Sequence, residues 1–300
     1  MSIQDAQPDR FAKAGDSRAL LNAMSVDIED WFQVGAFETV IDRSDWDRLD
    51  HRVERNSDAV LALFAEAGVN ATFFTLGWVA ERYPQLMRRI ADAGHEVASH
   101  GYDHARVFSM TPDQFRSDLE RSHKLLQDAS GQAVTGYRAP SFSIDQRTPW
   151  AHEILVEEGY RYSSSVAPIH HDHYGWAGSP RFAWKPLPNT DFVELPVTTV
   201  RAAGRTLAAG GGGFFRLLPY ALYKWAINKM HRDEGRGAIF YFHPWEIDAA
   251  QPRVHNAPVK SKLRHYARLG AMEAKLARAL GDYQWGRVDE LAELELELLP

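Results

Sequence analysis

Apolar and polar positions change rhythm repeatedly along this chain. Short runs of β-branched and aromatic residues, Ala23–Ile28, Ala71–Thr75, Glu96–Ser99, Thr135–Arg138, Tyr160–Ser163, Phe192–Val197 and Ala238–Phe242, read as strands. Between several of them the spacing shifts to the helical period, over Val53–Ala67, Pro84–Ala93, Pro112–Ala129 and Pro149–Glu158. Thr111, Pro112 and Gln114 give the third helix an N-cap, a first-turn proline and a capping box. Gly94 and Gly159 stand where helices should stop.

Strands alternating with helices predict a parallel α/β fold with right-handed crossovers. Seven such strands favour an irregular barrel over an open sheet. No internal repeat or interdomain linker is visible, so one domain is expected over residues 21–300. A flexible arm over residues 1–20 would precede it, and a helical extension would begin near residue 258. Ala167–Pro188 reads as a long loop rich in aromatics and histidines. The Gly210–Gly213 run precedes an apolar helix, Leu217–Lys229; glycines beside such a helix suggest a lid over a cleft.

Composition narrows the chemistry. With 300 residues and no cysteine, the chain can build a large core but no disulfide, thiolate metal site or cysteine nucleophile. Any metal must sit on histidine, carboxylate and water. A formal net charge of −6 shows no basic patch for nucleic acid or an anionic membrane surface. No run approaches membrane-spanning length and no secretory signal is seen, so a cytoplasmic location is the expectation. Nine tryptophans suit a sugar site, and equally a large core.

Four runs at the ends of strands carry candidate chemistry. In Ser25-Val26-Asp27-Ile28-Glu29-Asp30-Trp31, three carboxylates stand within four residues, and Asp27 and Glu29 share a face in extended chain. The alternative is a solvated acidic turn with Asp30 as an N-cap. In Ser99-His100-Gly101-Tyr102-Asp103-His104, two histidines four apart could share one face of a helical turn and one metal. With one carboxylate they make a two-histidine, one-carboxylate set. In Gly136-Tyr137-Arg138-Ala139-Pro140-Ser141, Arg138 can hold a carboxylate by a bidentate pair. In Phe240-Tyr241-Phe242-His243-Pro244-Trp245-Glu246, His243 is placed to act as a general acid. His170, His171 and His173 read as loop residues at a cleft rim rather than a second metal cluster.

Together, and in this order, SHGYDH, YRAPSF and FYFHPWE resemble the polysaccharide deacetylase family, the NodB-homology domain of carbohydrate esterase family 4. The resemblance spans about residues 22–252, and within the family the chain is similar to the branch linked to exopolysaccharide loci with exosortase systems and to the intracellular peptidoglycan-deacetylase and allantoinase-like relatives. It implies an irregular (β/α)7-type barrel and a hydrolase that removes N-acetyl groups from amino-sugar units. It implies Asp27 as catalytic base, His100 and His104 as metal ligands, and Arg138 as the residue orienting the base. His243 would be the general acid, Tyr241 a pocket wall, and a backbone N–H near Ser141 part of an oxyanion hole. Trp176, Trp184 and Trp245 would line a sugar groove. A divalent metal follows, zinc first, with cobalt, nickel, manganese or iron as alternatives. The expected partner is a carbohydrate, with no nucleic acid and no membrane span; a homo-oligomer is left open. Two departures stand out. Ile28 follows Asp27 where the family commonly has a second aspartate, which assigns the metal carboxylate to Glu29 with Asp30 as competitor. Ser163-Ser164-Ser165 replaces the motif whose aspartate braces the arginine. The alternatives are an allantoinase-like amidase and an inactive carbohydrate-binding protein.

Overall fold

The computed structural model describes residues 20–170 and 175–299. Its elements in chain order are β1 (Asn22–Ile28), α1 (Val53–Ala67), β2 (Thr72–Thr75), α2 (Gly77–Arg82), α3 (Pro84–Asp92), β3 (Glu96–Ser99), α4 (Pro112–Ser130), β4 (Gly136–Tyr137), α5 (Ala151–Glu157), β5 (Tyr162–Ser163) and β6 (Val193–Glu194). There follow β7 (Thr199–Ala202), β8 (Arg205–Ala208), α6 (Gly212–Leu217), α7 (Tyr220–Glu234), β9 (Ile239–Phe242), α8 (Val259–Tyr266), α9 (Met272–Asp282), β10 (Trp285–Gly286) and α10 (Val288–Leu298). The arm expected over residues 1–20 lies, Leu20 apart, outside the described residues.

Seven parallel strands curl in the order β9-β1-β2-β3-β4-β5-β6. This is the expected irregular barrel, incomplete on one side. Between β6 and β9 there is no regular ladder; instead the Thr198 hydroxyl accepts from Ile239 N–H at 2.6 Å and Tyr241 N–H donates to the Gly210 carbonyl at 2.8 Å. All seven strands read from the sequence are present. Helix α4 opens with the capping box of Thr111 and Gln114, and Gly94 and Gly159 adopt φ of 83° and 84° just past α3 and α5.

Alternation sets the two faces of the sheet. Met24, Val26 and Ile28 of β1 pack into the main core beneath the helices. Ala23 packs with Phe74, Ala98, Val193 and Ile239 in a second cluster inside the barrel. Val288, Leu291 and Ala292 of α10 close that interior from below, and β10 pairs with Asn22 and Ala23. Helix α10 is thus part of the barrel floor.

Two expectations change here. The helix expected over Leu217–Lys229 is two helices, because Pro219 cannot continue α6 and becomes the cap of α7. The glycines before it are not a hinge: Gly210 and Gly211 are buried against β9, where a Cβ would strike the Ile239 carbonyl and the Tyr241 ring. They are small because two chain segments meet there, and the lid reading falls. The hairpin β7–β8 was not read; Ala203 and Gly204 turn it with φ of 48° and 73°.

Candidate active site

The barrel sends Glu29, His100, Arg138 and His243 out from the C-terminal ends of β1, β3, β4 and β9. Glu29, His100 and His104 offer ligand atoms that all lie within 4.8 Å of one another. His104 Nε2 is 3.0 Å from Glu29 Oε2, while that oxygen has no hydrogen-bond donor and is buried. His100 Nδ1 is 2.7 Å from the Arg138 carbonyl. A carbonyl can only accept, so Nδ1 carries the proton and Nε2 keeps its lone pair for the centre. An orphaned carboxylate oxygen and an imidazole nitrogen held deprotonated are what a divalent cation needs, and this donor set fits one.

His104 does not reach the centre from a helical turn as expected. Residues 100–104 form an irregular turn in which Gly101 has φ 73° and His104 itself φ 60°. Asp118 of α4 fixes that turn by accepting from Tyr102 N–H at 3.1 Å. A non-glycine residue held left-handed costs energy and persists where its surroundings over-determine it.

Asp30 is not part of the cluster. Its carboxylate accepts from the backbone N–H groups of Trp31 (2.8 Å), Arg52 (2.6 Å) and Val53 (3.0 Å), so it ties down the chain entering α1. Asp30 is thus neither a solvated turn residue nor an N-cap, being 1% exposed while Arg52 is the N-cap of α1, and of the two carboxylates Glu29 is the one grouped with the histidines. Burial would raise the Glu29 pKa, but the imidazoles of His104, His243 and His100 pull it to about 2. Burial brings His100 down to about 4, against the pull of Asp27 and Glu29.

Asp27 lies beside the cluster, 2% exposed. Arg138 Nη1 donates to Asp27 Oδ1 at 2.7 Å and to Ser25 Oγ at 2.8 Å. The pair is single, not bidentate, because the other guanidinium N–H groups go to Ser164: Nε to its carbonyl at 3.1 Å and Nη2 to its hydroxyl at 3.0 Å. Arg138 is fully buried and its guanidinium carbon sits 4.0 Å from the Phe74 ring centroid, a desolvated cation–π contact worth about 2 kcal/mol. The brace missing from the sequence pattern is therefore supplied by uncharged serine.

His243 Nε2 lies 3.4 Å from Glu29 Oε1 and 4.0 Å from Asp27 Oδ2. Its Nδ1 is 2.9 Å from Glu246 Oε1, and Glu246 Oε2 accepts from Arg216 Nε at 2.6 Å. Burial alone would lower the His243 pKa, but Glu29, Glu246 and Asp27 raise it to about 9. Arg216 is anchored in turn by the carbonyls of Arg264, His265 and Ala267. Sequence reasoning missed both partners. Glu246, three residues after His243, was within reach of it; Arg216, from a helix 30 residues away, was not.

Trp245 is 6% exposed and is no groove aromatic. It stacks between His243 (5.0 Å) and His265 (4.1 Å) and donates Nε1–H to Glu29 Oε1 at 3.3 Å. Trp176 packs edge-on against Trp184 at 6.0 Å and partly into the core, so neither ring stands free as a platform. Tyr241 is half-buried, in edge contact with Phe142 at 4.7 Å. Ser141 and Phe142 both hold left-handed φ, 55° and 49°, in the turn after Arg138. His170 is exposed, and His171 and His173 lie outside the described residues.

A cleft of about 500 Å³ opens beside His104, lined by Phe32, Gln33, Glu38, Arg43, Trp46 and Asp103 among others. Gln33 is 3% exposed; its Oε1 accepts from Asp30 N–H at 2.7 Å, and its Nε2 is buried without an acceptor. No sequence signal pointed to Gln33.

Residues 45–163 match the family model described as polysaccharide deacetylase, and residues 164–293 match a domain of unknown function, DUF3473. A peptidoglycan deacetylase of Helicobacter pylori is 33% identical over 153 residues, 46% of this chain and 50% of that protein. A chitooligosaccharide deacetylase of Sinorhizobium fredii is 32% identical over 154 residues, 51% of this chain and 64% of that one. The chain thus matches about half to two thirds of these relatives' length. Among solved structures, one titled a putative polysaccharide deacetylase, from Mycobacterium smegmatis, superposes with a TM-score of 0.64 at 22% identity, covering 98% of this chain and 96% of that one, a likeness of fold. A carbohydrate esterase family 4 pseudoenzyme of Bacillus anthracis gives 0.50 at 14% identity, covering 91% and 66%. Family model and relatives agree on one part of the chain: residues 45–163 are a polysaccharide deacetylase domain, the NodB-homology domain of carbohydrate esterase family 4.

Proposed function

We propose that the protein is a metal-dependent N-deacetylase acting on amino-sugar units of a polysaccharide or oligosaccharide, of exopolysaccharide or peptidoglycan type. The observation that carries this reading is the position of Asp27 and His243 beside the Glu29–His100–His104 cluster. An amide resists attack because resonance weakens its carbonyl as an electrophile. Glu29, His100 and His104 would hold a divalent ion, zinc first and cobalt, nickel, manganese or iron as alternatives. When bound, such an ion supplies Lewis acidity for the amide oxygen and an acidified water.

The chain's own groups do the rest. Asp27 takes the proton of the attacking water, with Arg138 fixing Oδ1 so that Oδ2 faces the reacting atoms. The strained turn at Ser141 would offer a backbone N–H to the oxygen as charge develops on it. His243, whose pKa Glu246 helps to raise, donates to the departing amine nitrogen, which leaves poorly as an anion. The cleft beside His104 would take the neighbouring sugar.

The test is acetate release from N-acetylated oligosaccharides, before and after chelation and after metal is returned. The reading expects release to stop with chelator and to resume on metal add-back. A metal-loaded protein that releases no acetate from any of them would favour the inactive carbohydrate-binding reading.

A further inference from the structure

Glu194, which ends β6, is 0% exposed and lies outside the Glu29–His100–His104 cluster. Burying a carboxyl group is costly unless partners compensate it, and an apolar side chain would close the sheet there without that cost. Its partners show where it acts. Oε1 accepts from two consecutive backbone N–H groups, Ser165 at 2.8 Å and Val166 at 2.9 Å. Oε2 lies 3.1 Å from Nε2 of His152, a buried residue of α5. The backbone of Glu194 is pinned as well, exchanging hydrogen bonds with that of Trp184 at 2.9 and 3.1 Å. The carboxyl group is thus held in place, and the chain at residues 165–166 is fitted to it.

That stretch of chain is the one that holds Arg138. The Ser165 N–H and the Ser164 carbonyl belong to one peptide unit, which is planar and points them in opposite directions. At one end the N–H donates to Glu194; at the other the carbonyl accepts from Arg138 Nε at 3.1 Å. Arg138 in turn donates Nη1–H to Asp27 Oδ1 at 2.7 Å. Carboxyl group, peptide, guanidinium and base form one buried chain of hydrogen bonds, in which each bond polarises the next. The Ser165 hydroxyl adds a second tie. It accepts from the N–H of Ala139, next to Arg138, at 2.9 Å and from the Ser163 hydroxyl at 2.7 Å. Rotating the 164–165 peptide would withdraw its carbonyl from the guanidinium, and two N–H groups anchored on one Glu194 oxygen oppose that rotation.

From these contacts we infer that Glu194 is a positioning residue of the active site: by fixing the Ser164–Ser165 peptide it holds Arg138, and through Arg138 it holds Asp27. Glu194 itself touches neither Asp27 nor the metal-binding cluster; it acts at one peptide's remove. It belongs to residues 164–293, which match a domain of unknown function, so that part of the chain serves the base side of the site as well as supplying His243. Functional groups work only when the residues around them lock their geometry, and this is such a lock. Its catalytic consequence rests on the deacetylase reading, while the link from Glu194 to Arg138 rests on geometry alone.

Two measurements on the full chain test it. The first is the nuclear magnetic resonance signal of Arg138 Nε–H, identified by its loss in Arg138→Gln. Its exchange with solvent should be about tenfold faster or more in Glu194→Ala than in the wild type. Glu194→Gln, which keeps an oxygen acceptor for the two N–H groups, should restore it. The second is acetate release from N-acetylated oligosaccharides on samples of equal metal content. Glu194→Ala should lower kcat about tenfold or more with KM unchanged, and Glu194→Gln should stay near the wild type. In an Arg138→Gln background Glu194→Ala should have no further effect, because Glu194 acts through Arg138. Should Glu194→Ala fail to fold, Glu194→Asp, whose carboxyl group is one methylene short of both N–H groups, is read in its place. An unaltered Arg138 signal, an unaltered kcat, or the same fold loss with and without Arg138 would overturn the inference. A wild-type chain that releases no acetate while its Arg138 signal still follows Glu194 would instead sink the deacetylase reading and leave the link standing.

Discussion

Arg138 and His243 converge on one carboxylate, Asp27, but are held there by different chemistry. Arg138 is braced by neutral groups, the hydroxyls of Ser25 and Ser164 and the Ser164 carbonyl, so Asp27 is its one carboxylate partner among the described residues. His243 is braced by charge, through Glu246 and then Arg216. A serine brace leaves the full positive charge of the guanidinium facing the base. A carboxylate brace raises the pKa of an imidazole that must arrive protonated. The difference suits opposite tasks: one side keeps a proton acceptor in place, the other keeps a proton donor loaded.

Breaking the centre between these two sides should have the largest effect. His100→Ala removes a ligand and is expected to lose both stoichiometric metal and acetate release, read by metal analysis on the dialysed protein. Next is the charged brace. Glu246→Gln keeps the shape but removes a charge that raises the His243 pKa, and should cut turnover about ten- to a hundredfold. The pH profile separates this from simple damage. His243 is active as an acid while protonated, so the wild-type rate falls as pH rises through its pKa; Glu246 is among the groups that raise that pKa, so in Glu246→Gln the alkaline limb moves to lower pH. An unmoved limb would assign the limb to another group. The neutral brace should matter least. Ser164→Ala leaves a buried guanidinium N–H without its hydroxyl acceptor and is expected to cost about 1–3 kcal/mol of stability, measured by chemical denaturation. The alkaline limb should stay where it is, because no charge next to His243 has changed.

The same contrast explains what was legible in the sequence. The seven strands and helices α1, α3, α4 and α5 announce themselves by period, caps and glycine stops, which are local signals. Helix α2 is six residues ending just before Pro84, and β10 is two residues; neither is long enough to show a period. Asp27 and Glu29 share a face because extended chain alternates, which is visible in the sequence. Asp30 was ambiguous there because its role depends on the backbone of Arg52 and Val53, 22 and 23 residues on. Trp245 follows a histidine and a proline at a strand end and reads as a rim residue; only the packing of His265 from α8 shows it to be enclosed. Ser164 could be seen as a missing aspartate but not as a working brace, since its partner is 26 residues away.

The central claim is that Asp27 acts as the base beside a cation held by Glu29, His100 and His104. Its most direct test is the Asp27→Asn protein, measured for bound divalent ion and for acetate release on the same sample. The account predicts metal retained at the wild-type level and release lowered by about 10²–10⁴-fold. Undiminished acetate release from the metal-loaded variant would contradict it.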